Sequence, residues 1–372
     1  MGPSIRLGKI SGIPIEINFS WIFVFLLITY LLANMFDRDN PSWSREHTWT
    51  LALITAVLFF LSVLAHELSH SLVAVRQGIP VRSITLFFFG GISQLAHEAS
   101  RPRTEFLVTI VGPVCSFALA LAFGGLLFFF GGMSRSLHVV FQVLLSINLM
   151  LGVFNMLPGF PLDGGRVLRA AIWGITGNYW RATQVAIRGG QIVGGLMVVG
   201  GVSLAVFDFS LGISGIWMAL IGVFLFSAAA ATYRQEKTRE ALKSYRVADV
   251  MTTDLWTLPG ETPVDSPLVG RALANRDNFI TVTINGRVEG LLTRRAVAQI
   301  PRRAWSYTPL SRVMLPLRSV PWLAPEDAVS DVLEQVQSGR MDRLAVLSKG
   351  ELLGFVNRED ILRFARRVLR AR

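Results

Sequence analysis

Long apolar stretches occur at intervals through the chain as far as Tyr233. Each is uncharged or nearly uncharged and reaches the roughly 18 residues that a helix needs to cross a hydrocarbon core about 30 Å thick. The stretches are Phe19 to Phe36, Trp49 to Val75, Phe106 to Phe130, Leu137 to Leu157, Val185 to Phe207 and Leu211 to Tyr233. They predict a polytopic α-helical membrane protein with about six transmembrane helices.

The composition agrees with this prediction, since 52% of the 372 residues are hydrophobic and only 16% are charged. The mean hydropathy is +0.48, which is typical of a membrane protein rather than a soluble one. The first stretch is expected to stay in the protein as a helix, because Leu31 to Asn34 lacks a signal cleavage site. Cys115 is the only cysteine, so no disulfide can form within the chain.

Lysine and arginine residues flank the apolar stretches unevenly. Because cytoplasmic loops carry an excess of positive charge, both termini are expected in the cytoplasm and the protein in the cell membrane. The net charge of +11 indicates attraction to anionic lipids of the bilayer and no direct binding of nucleic acid. The predicted cytoplasmic side holds Arg6, Lys9, Arg76, Arg82, Arg101, Arg103, Arg166, Arg169, Arg181, Arg234, Lys237, Arg239 and Lys243, and the other side Arg38, Arg45 and Arg135.

The chain changes character after Tyr233. Residues 1–233 form the predicted membrane domain, 234–246 a charged linker that favours helix, and 247–372 a soluble domain. This last part contains an internal repeat, with a first copy at about 247–305 and a second at about 306–372. Short β-type runs alternate with amphipathic stretches in both copies, so two α+β modules are predicted.

The sequence His66-Glu67-Leu68-Ser69-His70 lies near the end of the second apolar stretch. A spacing of four places both imidazoles on one helix face, where they can hold one Zn²⁺. Glu67 is then placed as a general base that takes a proton from the attacking water. The alternative is that both histidines only bond to neighbouring helices, but ionisable groups at bilayer depth are costly and mark functional sites.

A catalytic zinc ion usually has a third protein ligand. Asp163 is the best candidate, because it lies in a proline- and glycine-rich break after the fourth stretch, and this break can fold back towards the metal. Asn155, directly before the break, is a candidate donor to the oxyanion of a peptide carbonyl. A contact between helices is the alternative for Asn155 and the favoured interpretation of Asn148. His97 stays open as a contact for water or substrate.

The loop after the second stretch predicts a two-stranded hairpin. Ile84 to Phe89 and Ile92 to Leu95 are β-type runs around Gly90-Gly91. Such a hairpin has an edge that can pair with an extended peptide substrate. The alternative is an anchor whose aromatic residues lie at headgroup depth.

Three motifs together resemble the site-2 protease family of intramembrane zinc metalloproteases. They are the His66 to His70 pattern, Gly112-Pro113 with Ser116, and Asn155 to Gly165 in the order N-x-x-P-x-x-P-L-D-G-G. The resemblance implies one Zn²⁺ held by His66, His70 and Asp163, with Glu67 activating water. It also implies cleavage inside the bilayer of single-pass membrane proteins, for example membrane-bound transcriptional regulators or anti-sigma factors.

The soluble repeat resembles a tandem pair of cystathionine-β-synthase (CBS) modules. Val247 to Met251 recurs as Leu310 to Met314, and Gly290 to Thr293 recurs as Gly354 to Asn357. The resemblance implies an adenine nucleotide held by Thr293 and Asp360, and self-association into a homo-oligomer. Each half is incomplete, since Ala296 and Asn357 depart from the pattern. A module that only dimerises, or contacts a substrate's cytoplasmic tail, is the alternative.

Two other classes compete with the protease for the membrane half. A metal-ion transporter gated by a CBS sensor would use the intramembrane histidines and aspartate as a permeation site. A catalytically silent scaffold would hold a structural zinc ion, but a closed structural site needs four ligands and three are evident.

Overall fold

The computed structural model describes residues 4–87, 90–207, 212–274, 279–337, 343–348 and 350–371. The chain divides into two compact units between Tyr233 and Arg234. The helix that begins before this division continues through most of the predicted linker and ends at Leu242.

Within the described ranges, six helices of the first unit are long and apolar enough to cross a membrane. This confirms the predicted number of crossings. Side chains cap the N-termini of four of them, for example Asn18, which accepts a hydrogen bond from the Ser20 amide. The six are α1 (Phe19–Asp39), α2 (Arg45–Arg76), α3 (Pro102–Phe130), α4 (Arg135–Asn155), α6 (Tyr179–Phe207) and α7 (Gly212–Leu242).

An amphipathic helix of 14 residues, α5 (Asp163–Thr176), lies between the fourth and fifth of these spans. The sequence analysis predicts no helix here. Gly164 and Gly165 lie in its first turn, and a Cβ atom on either would overlap the backbone of the preceding loop. Glycine therefore lets α5 start directly against this loop.

Helices α2, α3 and α4 pack together, and α5 packs against α3. Small residues such as Ala52 and Ala56 allow α2 to approach its neighbours closely, as is usual between membrane helices. The outward face carries large apolar side chains, including Leu121 at 77% and Phe128 at 82% exposure. Such a surface suits a lipid environment and would be unfavourable in water.

A four-stranded sheet belongs to the same unit, in the order β1 (Ser4–Ile10), β2 (Ile13–Asn18), β3 (Val81–Phe87) and β4 (Gly90–Leu95). Strands β3 and β4 are the predicted hairpin, although Phe88 and Phe89 lie outside the described residues, as does Leu211 of the sixth stretch. The hairpin is confirmed, but it belongs to a larger sheet than predicted, because β2 pairs in parallel with β3.

Strands β1 and β2 are not among the predicted elements, but the alternation of residues in β2 explains why a strand forms there. Ile13 and Ile15 are buried while Pro14 and Glu16 alternate with them, which is the period of a half-buried strand. The turn between β1 and β2 has positive φ at both central residues, 50° at Ser11 and 81° at Gly12. This favours a tight hairpin between β1 and β2.

The second unit contains two α+β modules, as the internal repeat predicts. A parallel strand pair is followed by an antiparallel hairpin in both modules. The rings of Phe279 and Phe355, one from each module, lie 4.8 Å apart in a shared apolar cluster. The elements are β5 (Thr257–Pro259), α8 (Pro267–Ala274), β6 (Phe279–Ile284), β7 (Arg287–Thr293), α9 (Arg294–Ala298), β8 (Leu315–Pro316), β9 (Trp322–Leu323), α10 (Val329–Gln337), β10 (Arg343–Ser348), β11 (Glu351–Asn357) and α11 (Arg358–Ala371).

Candidate metal centre

Helix α2 brings two histidine side chains to one buried position. His66 and His70 lie one turn apart and are 3% and 9% exposed. Their Nε2 atoms are 3.2 Å from each other. The spacing of four residues in one helix is sufficient to explain this pairing.

The first residue of α5 completes a group of three. Asp163 Oδ2 lies 3.1 Å from Nε2 of His66 and 3.1 Å from Nε2 of His70. Among the residues that the structure describes, these three side chains form the group able to hold a metal ion. The carboxylate also lies at a helix N-terminus, where the helix dipole stabilises negative charge.

Outer contacts orient both imidazoles. His66 Nδ1 lies 2.9 Å from Ser116 Oγ, and His70 Nδ1 lies 2.7 Å from the carbonyl oxygen of Val108. A carbonyl oxygen only accepts, so the Nδ1 of His70 donates, and in the neutral ring the lone pair of Nε2 is available to a metal ion. The two Nε2 atoms and the carboxylate oxygen converge at one point and form a donor set suited to a metal cation.

The separations fit a tetrahedral zinc ion. Ligands bound at about 2.0–2.1 Å in a tetrahedron are about 3.3 Å apart, close to the 3.1–3.2 Å between these atoms. Gly112 of α3 supplies the space, because a Cβ atom there would lie 2.8 Å from His66 Nε2 and would overlap His70 Nε2. The donor set and the space therefore fit zinc.

Glu67 lies beside this centre and is held by the sheet. Ser93 Oγ of β4 donates to Glu67 Oε2 at 3.1 Å and in turn accepts from Ser71 Oγ at 3.0 Å. A Cβ atom on Gly91 would overlap the side chain of Glu67. Strand β4 therefore passes directly against the candidate base. No local pattern in the sequence indicates a role for Ser93, because nothing local relates this residue to a glutamate 26 positions earlier.

The remaining candidates of the membrane unit bond to groups other than the three ligands. In the described part of the chain, the side-chain amide of Asn155 donates to the Leu151 carbonyl oxygen at 3.0 Å and to none of the ligands. Asn148 is fully buried and donates to Ser62 Oγ of α2 at 3.3 Å, as a contact between helices would. His97 contacts the carbonyl oxygen of Glu98.

The two nucleotide candidates lie at the N-terminal ends of helices in the second unit. Thr293 caps α9 by accepting from the amide of Ala296 at 3.2 Å. Asp360 in the first turn of α11 accepts from Thr252 Oγ1 at 3.3 Å and lies 3.6 Å from the Arg363 guanidinium. Both side chains thus already have partners within the protein.

Two histidines, an aspartate and an adjacent glutamate, inside a bundle of membrane helices, define a membrane-embedded zinc metalloprotease. Comparison with known proteins agrees. Peptidase family M50 matches residues 54–143 and 131–197, and the CBS domain matches residues 311–367. The chain belongs to peptidase family M50, the site-2 proteases. This family favours the enzyme over the transporter and the silent scaffold.

Relatives match along nearly the whole chain. A Mycobacterium tuberculosis protein named zinc metalloprotease Rip3 is 34% identical over 370 residues, which cover 98% of this chain and 93% of that protein. A Synechocystis protein named zinc metalloprotease sll0528 is 32% identical over 372 residues, covering 98% and 96%. The structure of a site-2 protease from Methanocaldococcus jannaschii is 31% identical, covers 62% of this chain and 94% of that one, and has a TM-score of 0.42.

Replacement of Gly112 by alanine tests the metal centre. We expect Gly112→Ala to weaken Zn²⁺ binding by at least about tenfold, because the added methyl group forces the imidazoles apart. Chelator competition on the purified protein measures the affinity. Gly125→Ala is the matched control, since a Cβ atom at Gly125 of the same helix meets nothing within 4 Å. Equal affinities of the two variants would contradict the assignment of this space to the metal.

Proposed function

We propose that this protein hydrolyses peptide bonds within or next to transmembrane segments of partner membrane proteins. The observation that carries the proposal is the position of Glu67. It lies between the two histidines of a membrane-spanning helix and contacts strand β4. A base, a metal site and an edge strand at one place suit an extended peptide inside the bilayer.

Strand β4 is the proposed binding element for the substrate. In the described sheet it ends the order β1-β2-β3-β4 and pairs only with β3, so its other edge can add a strand. Main-chain hydrogen bonds to this edge would hold the substrate extended beside Glu67. They would also satisfy backbone groups that lipid leaves unpaired.

The substrate must unwind before it can bind in this way. A helical peptide bond has its carbonyl engaged and its carbon covered by neighbouring turns. Substrates are therefore expected to carry helix-weakening residues, such as glycine or proline, near the cleaved bond. Local unwinding at these residues lowers the cost of moving from a helix to a strand.

The side chains around the metal have separate roles in the hydrolysis. Zinc, when bound by His66, His70 and Asp163, supplies a Lewis acid. Ser93 holds Oε2 of Glu67, and Oε1 takes the proton from the attacking water and passes it to the nitrogen of the leaving amine. Asn155, after turning from the Leu151 carbonyl, donates to the oxygen that gains charge.

The uneven distribution of basic residues supports a cytoplasmic position for both termini and for the CBS pair. The partners are then single-pass membrane proteins, for example a membrane-bound transcriptional regulator or an anti-sigma factor. The CBS pair would join two copies of the chain and bind an adenine nucleotide that regulates cleavage. The packing of the two modules across Phe279 and Phe355 supports a unit that could transmit such binding.

Glu67→Gln is expected to abolish cleavage, with a loss of at least about 100-fold, because glutamine cannot take the proton. Zinc content should stay at one ion per chain. Co-expression with candidate single-pass membrane proteins, followed by comparison of fragment sizes, measures the loss. Glu46→Gln, in the exposed first turn of the same helix, is the control and should cleave normally. Cleavage by Glu67→Gln at the parental rate would refute the role of general base.

Disulfide cross-linking tests the strand. A cysteine replaces Gln94 of β4 in a Glu67→Gln, Cys115→Ser background, and single cysteines are moved along the substrate. We expect cross-links at every second substrate position, because side chains alternate along paired strands. A cysteine at Leu121 of α3, which is 77% exposed, is the control. Cross-links at every third or fourth position would show that a helical substrate binds instead.

Calorimetry on the whole protein tests the nucleotide. We expect ATP, ADP or AMP to bind, and Asp360→Asn to weaken binding by about tenfold, because a hydrogen bond to a charged group contributes about 1.5–3 kcal/mol. Asp254→Asn, at an exposed position of the same unit, should bind normally. The absence of binding at millimolar nucleotide would leave the CBS pair as an assembly module.

A further inference from the structure

An arginine and a glutamate form an ion pair in the interior of the membrane unit. Arg169 of α5 is 3% exposed and Glu105 of α3 is 2% exposed. Nε of Arg169 donates to Glu105 Oε1 at 2.6 Å, and Nη2 donates to the same oxygen. Arg169 is one of the cations of the predicted cytoplasmic side, and its side chain is buried within the membrane unit.

The pair belongs to a larger network. Nη1 of Arg169 donates to the Tyr179 hydroxyl at 2.7 Å, and this hydroxyl donates to Glu98 Oε2 at 2.7 Å. The guanidinium also lies 4.9 Å from the ring centroids of both Phe160 and Tyr179. Arg169 therefore joins α5 to α3 and α6, and the Tyr179 hydroxyl extends the network to Glu98 in the segment that follows β4.

Helix α5 connects this network rigidly to the metal centre. Asp163 and Arg169 are six residues apart in one helix, a distance of about 9 Å along its axis. Helix α3 carries the other end of the pair, and it also supplies Val108 and Ser116, which hold His70 and His66. The pair thus connects the helix that orients the histidines to the helix that carries the carboxylate.

Net stability does not readily explain such a pair. Removing two charges from water costs several kcal/mol per ion, and apolar side chains of similar volume often stabilise a protein as well or better. A planar guanidinium with several bonded partners does restrict geometry, because its donors point in fixed directions. The network can therefore set the rotation and axial position of α5, to which the Asp163 carboxylate is attached.

We propose that Arg169 and Glu105 are positioning residues for the metal centre. They hold α5 against α3 so that the Asp163 carboxylate meets the two histidines, and they thereby set the zinc affinity. The inference concerns metal binding alone and does not depend on where, or whether, a substrate is cleaved in the bilayer.

The decisive variant removes both charges together, so that neither charge is left buried without its counter-charge. We expect full-length Arg169→Met/Glu105→Gln, purified in detergent, to melt without metal close to the parental temperature. Its Zn²⁺ affinity, measured by chelator competition, should fall by about 10- to 100-fold, the usual effect of losing contacts that orient metal ligands. Arg135→Met is the matched control. Arg135 donates to Asn40 at the N-terminal end of α4, whereas the segment that leads to Asp163 follows the C-terminal end of this helix.

Cobalt provides a readout that a purely stabilising role would not change. Co²⁺ bound in place of zinc should show an altered visible absorption band in the double variant, because the band reports ligand geometry. Parental zinc affinity and a parental Co²⁺ band would overturn the proposal, whatever the melting temperature.

A more conservative variant decides the matter if the double variant does not fold. Arg169→Lys keeps a positive charge beside Glu105 but cannot also reach Tyr179 in the same fork geometry. We expect weaker zinc binding by several-fold and a shifted Co²⁺ band. Unchanged values in this variant would equally overturn the proposal.

Discussion

The meeting of Asp163 with His66 and His70 is the interaction on which the membrane unit depends. A carboxylate inside an apolar bundle is unfavourable unless a cation or several donors compensate its charge. The three candidate ligands come from two helices, and Asp163 lies 97 and 93 positions after His66 and His70. The chain between the two helices must therefore bring Asp163 to the same depth in the membrane as the histidines. The proline- and glycine-rich segment before α5 allows this.

Helix α3 is the element that organises the surroundings of this centre. It leaves space at Gly112, holds both imidazoles from outside through Val108 and Ser116, and anchors α5 through Glu105. All these contacts come from one continuous helix, so a shift of α3 would move all of them together. A single rigid element is therefore a natural way to keep ligands and their outer partners in register within lipid.

The sheet connects the candidate base to the proposed binding site of the substrate. Because Ser93 and Gly91 of β4 contact Glu67, the candidate base is tied to the strand that is proposed to receive the substrate. Binding and proton transfer would then occur at one edge of one strand. The CBS modules form a separate compact unit with their own apolar cores, so the proposed regulation and the proposed catalysis would belong to two different parts of the chain.

Local patterns in the sequence predict much of this protein. Apolar length determines the six crossings, the spacing of four pairs the histidines, and the internal repeat predicts the two α+β modules. Asp163 stands out as a candidate because a carboxylate in a proline- and glycine-rich break is rare within an apolar region. In each case the physical cause acts within one turn, one span or one repeat, so no distant partner has to be known.

The tertiary structure alone decides which distant groups touch. It adds β1 and β2 to the hairpin, brings Ser93 into contact with Glu67, and makes Arg169 a buried partner of Glu105. These contacts join residues 26 to 69 positions apart, for which periodicity carries no information. They form because buried polar groups must find partners, and the packing of whole helices determines which partners are within reach.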